Sequence, residues 1–566
     1  ISAAGLTLTK TIVLQHSERP DAENAGRGIP NYLGPPVLSP DGTAAWVPSK
    51  QDNIKRGVLR DTRQLTHDST VRAIASRIAL GSETEDYASR IDFDDAAVPS
   101  HAVFDPTGLL LYVALEGSRQ VAVIDAMART VLFKIDTGRA PQGLALSPDG
   151  SRLFVQNFMD RSVRVFDLGL LVNGGRPAGS DIPTLATWNT VANESLPAAV
   201  LTGKQFFYDA RDPRISLQGY ISCAACHNDG GHDGRTWDFT GIGEGLRNTT
   251  DLRGKAGTGQ GPAHWTGNFD EIQDFEKQIR NLGRGTGLMA DPDFDAGTRS
   301  QPLGLAKAGV SADLDALAAY VTSLTTAVPS PYRSADGTLT AAAQAGREVF
   351  LTANCAQCHS GTGFTDSAVN NRRNIGTLKP SSGQRLSGPL SGLDTPTLRS
   401  IWNTAPYLHD GSAATLTGAV QAHQGVSLSP LELGNLAAYL SQIDESETTS
   451  PAPSPPGASS PGLLGEYFDG LTPGLAAPLL SRIDPGIAFD WGDGSPGPAV
   501  PSNYFSARWT GFITAAYSET YTFYVPSDNG TRVWINGQLV LDKWTPLDIA
   551  GWHNFSLPLV ANQAVP

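Results

Sequence analysis

The chain has 566 residues, 40% of them hydrophobic and 17% charged, with a formal net charge of -14 and a pI near 5.2. Such a charge argues against nucleic acid and against an anionic membrane surface as partners. The length predicts three or four domains with cores of their own, and the 60 Gly and 39 Pro predict many turns and much β structure.

From about residue 30 to 190 the pattern is short strands and tight turns. Ser39-Pro40-Asp41-Gly42 precedes Ala45-Trp46-Val47, Asp105-Pro106-Thr107-Gly108 precedes Leu110-Leu111-Tyr112-Val113, and Ser147-Pro148-Asp149-Gly150 precedes Leu153-Phe154-Val155. Each turn offers a Pro with helical φ and a Gly for a positive-φ position. The second and third turns are 42 residues apart and the first lies 66 before the second, one period plus 24, which points to an insertion in the polar stretch around Lys50 to Thr70. A period near 42 predicts β-propeller blades. With Gln120–Asp125 and Ser162–Asp167 as the next strands, residues 1–195 resemble the YVTN-type surface-layer propeller repeats. Three to four blades are too few to close a ring. Either blades precede Ile1 or the arc closes against another domain, and the first is the favoured expectation. Residue 1 is Ile with no signal-like segment after it, so the chain reads as processed or cut from something longer.

A Gly/Pro-rich passage from Leu170 to Ile182 leads into helical patterning. Thr202-Gly203-Lys204-Gln205 reads as a capping box before Phe206-Phe207, and Ser311 and Asp313 open a helix with Leu314, Leu317, Ala318, Val321 and Leu324 on one face. The unit then repeats. Thr340 opens a helix carrying Gly346-Arg347-Glu348-Val349-Phe350, and Ser429-Pro430-Leu431-Glu432 caps another carrying Leu433, Leu436, Ala437 and Leu440. These are two tandem α-helical units, 196–330 and 331–444. Residues 445–461 read as a Pro/Ser linker. In 462–566 the stretches Gly462–Asp469, Ala507–Gly511, Tyr521–Gly530 and Val533–Gly537 resemble the PA14 β-sandwich, with its last strands missing after Pro566. The fold expected is therefore multidomain: a partial all-β propeller, tandem α-helical domains and a PA14-like β-sandwich. No apolar run approaches the ~20 residues needed to span a bilayer.

The chemistry lies in the tandem units. All four cysteines belong to Cys223-Ala224-Ala225-Cys226-His227 and Cys355-Ala356-Gln357-Cys358-His359. Two thiols three apart can add to the vinyl groups of a haem, and the next His can ligate its iron. The alternatives are two disulfides or one four-thiolate zinc site, but neither calls for a His after each pair. Two covalent haem c groups are expected, ligated by His227 and His359. Thiol attachment of haem is an export-side chemistry in bacteria, so the periplasm or cell surface of a Gram-negative bacterium is the expected place.

Thr395-Pro396-Thr397-Leu398-Arg399 and Thr404-Ala405-Pro406-Tyr407-Leu408-His409-Asp410-Gly411-Ser412 extend this reading. With the two haem motifs they make residues 200–444 similar to the bacterial di-haem cytochrome c peroxidase superfamily, which includes the methylamine-utilisation di-haem cytochromes. The resemblance implies a distal ligand for the second haem at His423, where relatives carry Met or Tyr. It implies a calcium ion held by Asn248, Thr404 and Pro406, and it places Trp265 between the haems as an electron relay. It also exposes two departures. Leu288 stands where peroxidases carry a distal Glu, and the loop that supplies a capping His reads Ile242-Gly243-Glu244-Gly245. Either haem 1 is open with Glu244 as a new acid, or another His caps it: His264 first, His232 second.

The expected function is an exported di-haem c-type cytochrome in electron transfer, serving a redox partner protein or other cytochromes. The alternatives are a peroxidase or oxidase reacting at haem 1, and a surface protein whose PA14 segment binds a glycan or protein. Whether the chain is an enzyme depends on what faces His227.

Overall fold

The computed structural model describes residues 8–566 apart from 176–177, 370, 452–461, 475–476, 516, 545–550 and 562. They form two compact units that divide after Ser450. Among the described residues no helix is long and apolar enough to cross a membrane.

The first unit begins with three antiparallel sheets. The first has six strands, β1 (Ile29–Asn31), β2 (Val37–Leu38), β3 (Ala44–Asp52), β4 (Val71–Ala79), β5 (Thr84–Glu85) and β6 (Ile91–Phe93). The second and third are four-stranded meanders: β7 (Pro99–Phe104), β8 (Leu110–Leu115), β9 (Gln120–Asp125) and β10 (Thr130–Asp136), then β11 (Pro141–Leu146), β12 (Arg152–Asn157), β13 (Ser162–Asp167) and β14 (Thr184–Asn189). The two meanders are propeller-like blades beside the six-stranded sheet. The turn entering β3, β8 or β12 carries Gly42, Gly108 or Gly150 at φ 69°, 75° and 72°, as the turn motifs require. Trp46, Phe93, Phe104, Leu111 and Val113 fill the space between the first two sheets, and Tyr112, Val123, Leu144, Val155 and Phe166 that between the second and third.

Lys50, Gln51 and Asp52 are not part of a polar insertion. They close β3 and are buried, because Lys50 pairs with Asp52 at 2.7 Å and Asp233 at 3.5 Å. The extra residues lie beyond them, before β4. The arc also shares cores with the helical region. Met159, on the β12–β13 turn, packs with Phe207, Tyr208, Leu314 and Leu317, and Val71, Ala97 and Val98 pack with Tyr220, Ile221 and Trp237. The Tyr32 hydroxyl donates to the Cys226 carbonyl at 2.9 Å, and Arg119 pairs with Asp209. The arc packs on the cytochrome region.

One buried group from this interface makes a stability prediction. Glu116, 4% exposed in the β8–β9 connection, accepts one hydrogen bond from Gln142 and has no cation partner among the described contacts. Burial pushes its carboxyl from 4.5 up to about 7. The folded protein thus holds this proton more tightly than the unfolded chain. The stabilisation is fully present below about pH 4.5 and is lost as pH rises through about 7. Glu116→Gln is expected to remove that slope and raise stability above pH 7 by on the order of 3 kcal/mol. Urea unfolding of both proteins at pH 5 and pH 8 measures it; parallel changes between the two would reject it.

Five helices position the haem motifs: α1 (Ala198–Tyr208), α2 (Ala312–Thr322), α3 (Ala341–Thr352), α4 (Leu416–Gln421) and α5 (Pro430–Leu440). Ser311, Thr340 and Ser429 cap α2, α3 and α5 as expected, with a full capping box at Ser429 and Glu432. The box expected at Thr202 does not form. Good helix formers from Ala198 onward carry α1 back to Pro197, which leaves Thr202 in mid-helix. The two crossings match: Gly203 lies on the Ala316 carbonyl where α1 meets α2, and Gly346 on the Asn435 carbonyl where α3 meets α5. Phe207 sets its edge on Tyr320 at 5.0 Å, and Phe350 on Tyr439 at 5.5 Å.

Residues 445–450 are not extended linker. Ser450 N–H donates to the Gly361 carbonyl, and Glu445 and Glu447 pair with Arg399 and Arg333, so the start of the expected linker is tied to the second haem unit. The rest of the expected linker, 452–461, lies outside the described residues.

The second unit pairs Leu463–Asp469 with Leu480–Asp484 and Phe505–Thr510, Glu519–Ser527 with Gly551–Leu559, and Thr531–Ile535 with Gln538–Lys543. Asn536 and Gly537 both take positive φ in the two-residue turn. Buried Asp484 anchors the first sheet by accepting from Arg482, the Tyr467 hydroxyl and Trp509 Nε1.

Candidate haem sites

Each C-x-x-C-H segment folds as a single 3-10 turn, Cys223–Ala225 and Cys355–Gln357. The His227 N–H returns to the Cys223 carbonyl at 2.9 Å and that of His359 to the Cys355 carbonyl at 3.0 Å. The turn puts both thiols and the imidazole of each motif at one locus. All four thiols are free, which removes the disulfide alternative. Burial pushes Cys223 and Cys355 up to about 11, so both are neutral thiols before anything binds them.

The imidazoles are prepared for a metal in a consistent way. His227 Nδ1 lies 2.9 Å from the Gly231 carbonyl, His359 Nδ1 3.2 Å from that of Phe364, and His423 Nδ1 2.8 Å from that of Ala419. A carbonyl can only accept, so Nδ1 carries the proton in each and Nε2 keeps its lone pair for a ligand. His423 stands just past α4, and its charge is among the causes that depress His359 to about 4, after burial. Both imidazoles are half-buried.

Burial holds His264 at about 4, and His227 adds to that depression. His264 lies against Phe269 and Phe275, with ring centroids at 4.3 and 5.0 Å. His232 is unavailable as a ligand: Nε2–H donates to the Asn403 carbonyl at 2.6 Å, and Nδ1 accepts from Gly234 N–H at 3.1 Å. It ties the first haem unit to the second.

Glu244 is 8% exposed and bound on both oxygens, by Arg247 at 2.8 Å, Asn268 at 2.7 Å and Thr266 at 3.3 Å. Burial pushes its carboxyl up while Arg247 pulls it back. Leu288 and Met289 are buried, and their N–H groups donate to Glu276 at 3.0 and 3.1 Å. Glu276 is a carboxylate that reading the sequence missed; its i,i+4 spacing to Arg280 was the available signal.

Trp265 Nε1–H donates to the Asn248 carbonyl at 2.8 Å, and its ring centroid is 6.4 Å from that of His409. Asn248 Nδ2 donates to the Pro406 carbonyl, while its Oδ1 is buried without a partner. An orphaned amide oxygen beside a carbonyl suits a hard cation. His409, 1% exposed, contacts Ser382 Oγ through Nε2 at 2.7 Å and was also missed as a site residue. In the second unit, Asp528 and Asn529 lie on an exposed bend.

Residues 343–444 match the cytochrome c family and 459–560 the PA14 domain. The hydrazine synthase subunit gamma of Kuenenia stuttgartiensis is 30% identical over 313 residues, 45% of this chain and 83% of that protein. The chain belongs to the di-haem cytochrome c peroxidase superfamily. The methylamine utilization protein MauG of Methylorubrum extorquens is 30% identical to this cytochrome over 260 residues, 40% of this chain and 68% of MauG. The anti-sigma-I factor RsgI3 of Acetivibrio thermocellus is 46% identical over 83 residues, 15% of this chain; the cytochrome spans only 13% of that relative's length. The family and its di-haem relatives make covalent haem c this chain's cofactor.

Proposed function

We propose that this cytochrome carries two haem c groups, one on Cys223 and Cys226 with His227 below the iron, the other on Cys355 and Cys358 with His359. His423 completes haem 2 and His264 caps haem 1. The carrying observation is the shared preparation of the four imidazoles: each has Nδ1 engaged by an oxygen, which puts the lone pair on Nε2, and at His264 that lone pair has the Gln278 amide 3.4 Å away, a contact that haem binding would replace. When bound, the haems supply one-electron chemistry; the chain holds them, excludes water and sets their ligand field. Replacing Met by His at the second site lowers the potential relative to a His/Met relative. Trp265, bridging the units through Asn248 and beside His409, is the relay between the haems. Asn248, Thr404 and Pro406 hold a calcium ion there.

The partner is a redox protein or another cytochrome, met outside the cytoplasm in the periplasm or at the cell surface, and the PA14 unit binds a glycan or protein. Because Tyr32, Lys50 and Met159 pack on the first haem unit, the propeller-like arc serves as its scaffold. A peroxidase reading has support in the names of relatives, yet Leu288 cannot move a proton and Glu244 is bound on both oxygens. Haem quantitation and ferric EPR test this proposal. Two haems per chain, both low spin, are expected; a high-spin fraction or a peroxide-induced ferryl signal would favour the enzyme.

A further inference from the structure

We propose that Asn268 is the positioning residue of haem 1: it fixes the tautomer and aim of His264 and ties that ligand to the second haem unit. This rests on the reading of His264 as the cap of haem 1.

His264 is held differently from the other three imidazoles. Its Nδ1 meets a side chain, Asn268 Oδ1, at 2.8 Å, where the others meet main-chain carbonyls. Its backbone is left-handed at φ 70°, inside a tight loop closed by Ala263 N–H to the Phe269 carbonyl at 2.7 Å and Gly267 N–H to the His264 carbonyl at 3.1 Å. That loop brings Asn268, 4% exposed, under the ring.

The orientation of the Asn268 amide follows from its other neighbour. Its far end faces Glu244 Oε1 at 2.7 Å. Only the NH2 group can face a carboxylate, so the carbonyl oxygen must face His264. An oxygen there requires a proton on Nδ1, which leaves the lone pair on Nε2. Gln278 Nε2, an amide donor, stands 3.4 Å from that nitrogen, in agreement with a lone pair at that edge. The tautomer is thus set by Glu244 through Asn268.

Glu244 is itself anchored. Its other oxygen takes Arg247 at 2.8 Å, and Arg247 donates to the carbonyls of Ser382 at 2.8 Å and Gln384 at 3.1 Å in the second haem unit. Ser382 Oγ contacts His409, whose ring neighbours Trp265. A continuous chain of polar contacts therefore runs from the His264 ring to the second unit. Second-shell partners of this kind orient a ligating imidazole and raise its basicity. Glu244 then acts as an anchor and not as an acid toward substrate.

The test uses the full-length holoprotein and ferric EPR, with the haem 2 signal as an internal check of folding. Asn268→Leu removes both ends of the amide and is expected to convert haem 1 from low to high spin in most molecules while the haem 2 signal stays. Glu244→Gln keeps the volume, removes the charge and is expected to shift the g values of haem 1 alone; it decides the matter if Asn268→Leu also loses haem 2. His264→Ala separates the two claims. If it leaves haem 1 unchanged, the ligand reading falls and this proposal with it. If it converts haem 1 to high spin while Glu244→Gln and a folded Asn268→Leu leave that signal unmoved, the positioning role alone is overturned.

Discussion

His423→Ala is expected to convert one haem from low to high spin almost completely and to leave the other untouched. His423 is held by two local contacts, Nδ1 to the Ala419 carbonyl and its own N–H to the Val420 carbonyl at 3.1 Å, both within the last turn of α4. Alanine keeps that turn, so the fold survives and only the Nε2 lone pair is lost. His409 has its Nε2 engaged by Ser382 Oγ at 2.7 Å. A haem that loses one of two strong ligands keeps a weak-field or vacant face and becomes reactive toward small ligands. Ferric EPR and cyanide titration measure the change. An unaltered spectrum would refute the ligand assignment.

The largest stability effects are expected at the two helix crossings, where glycine permits backbone contact. A Cβ on Gly203 would stand 1.8 Å from the Ala316 carbonyl oxygen, and one on Gly346 would stand 1.9 Å from that of Asn435. Backbone cannot yield as a flexible side chain does, so the helices must separate along their packed faces. Gly203→Val and Gly346→Val should each cost about 3 kcal/mol or more. Gly434 supplies the control, since it lies in α5 with nothing within 4 Å of its Cβ position. Gly434→Ala is expected to stabilise by about 0.5–1 kcal/mol through helix propensity and the reduced freedom of the unfolded chain. Thermal or urea unfolding of the holoprotein measures all three. Equal effects at Gly346 and Gly434 would mean that propensity, and not the crossing, governs these sites.

Much of the fold was legible because its signals are local. The turns at Gly42, Gly108 and Gly150 need one residue with positive φ, and the period between them carries the blades. The caps at Ser311, Thr340 and Ser429 were readable for the same reason. Thr202 misled because a capping box is only a spacing of residue types, and the helix formers before it extended α1 past the signal. Lys50 and the acidic run at 445–450 misled in the other direction. They read as an insertion and a linker, but partners distant in sequence decide otherwise: Asp233 holds Lys50 in the interior, and Arg333 and Arg399 tie Glu447 and Glu445 to the fold.

The candidate site divides along the same line. Sequence alone determined the covalent chemistry, since two thiols and an imidazole within five residues need a single turn of backbone to converge, and that turn forms in both copies. What surrounds each candidate ligand comes only from tertiary structure: His232 spends both nitrogens on main-chain groups, while His264 lies against Phe269 and Phe275. Asn268 carried no signal, because an amide becomes a positioning group only when Glu244, 24 residues away, fixes which of its ends faces the histidine. Bonds within one turn follow from spacing; the partner of a buried polar atom follows from which distant segments the fold brings against it.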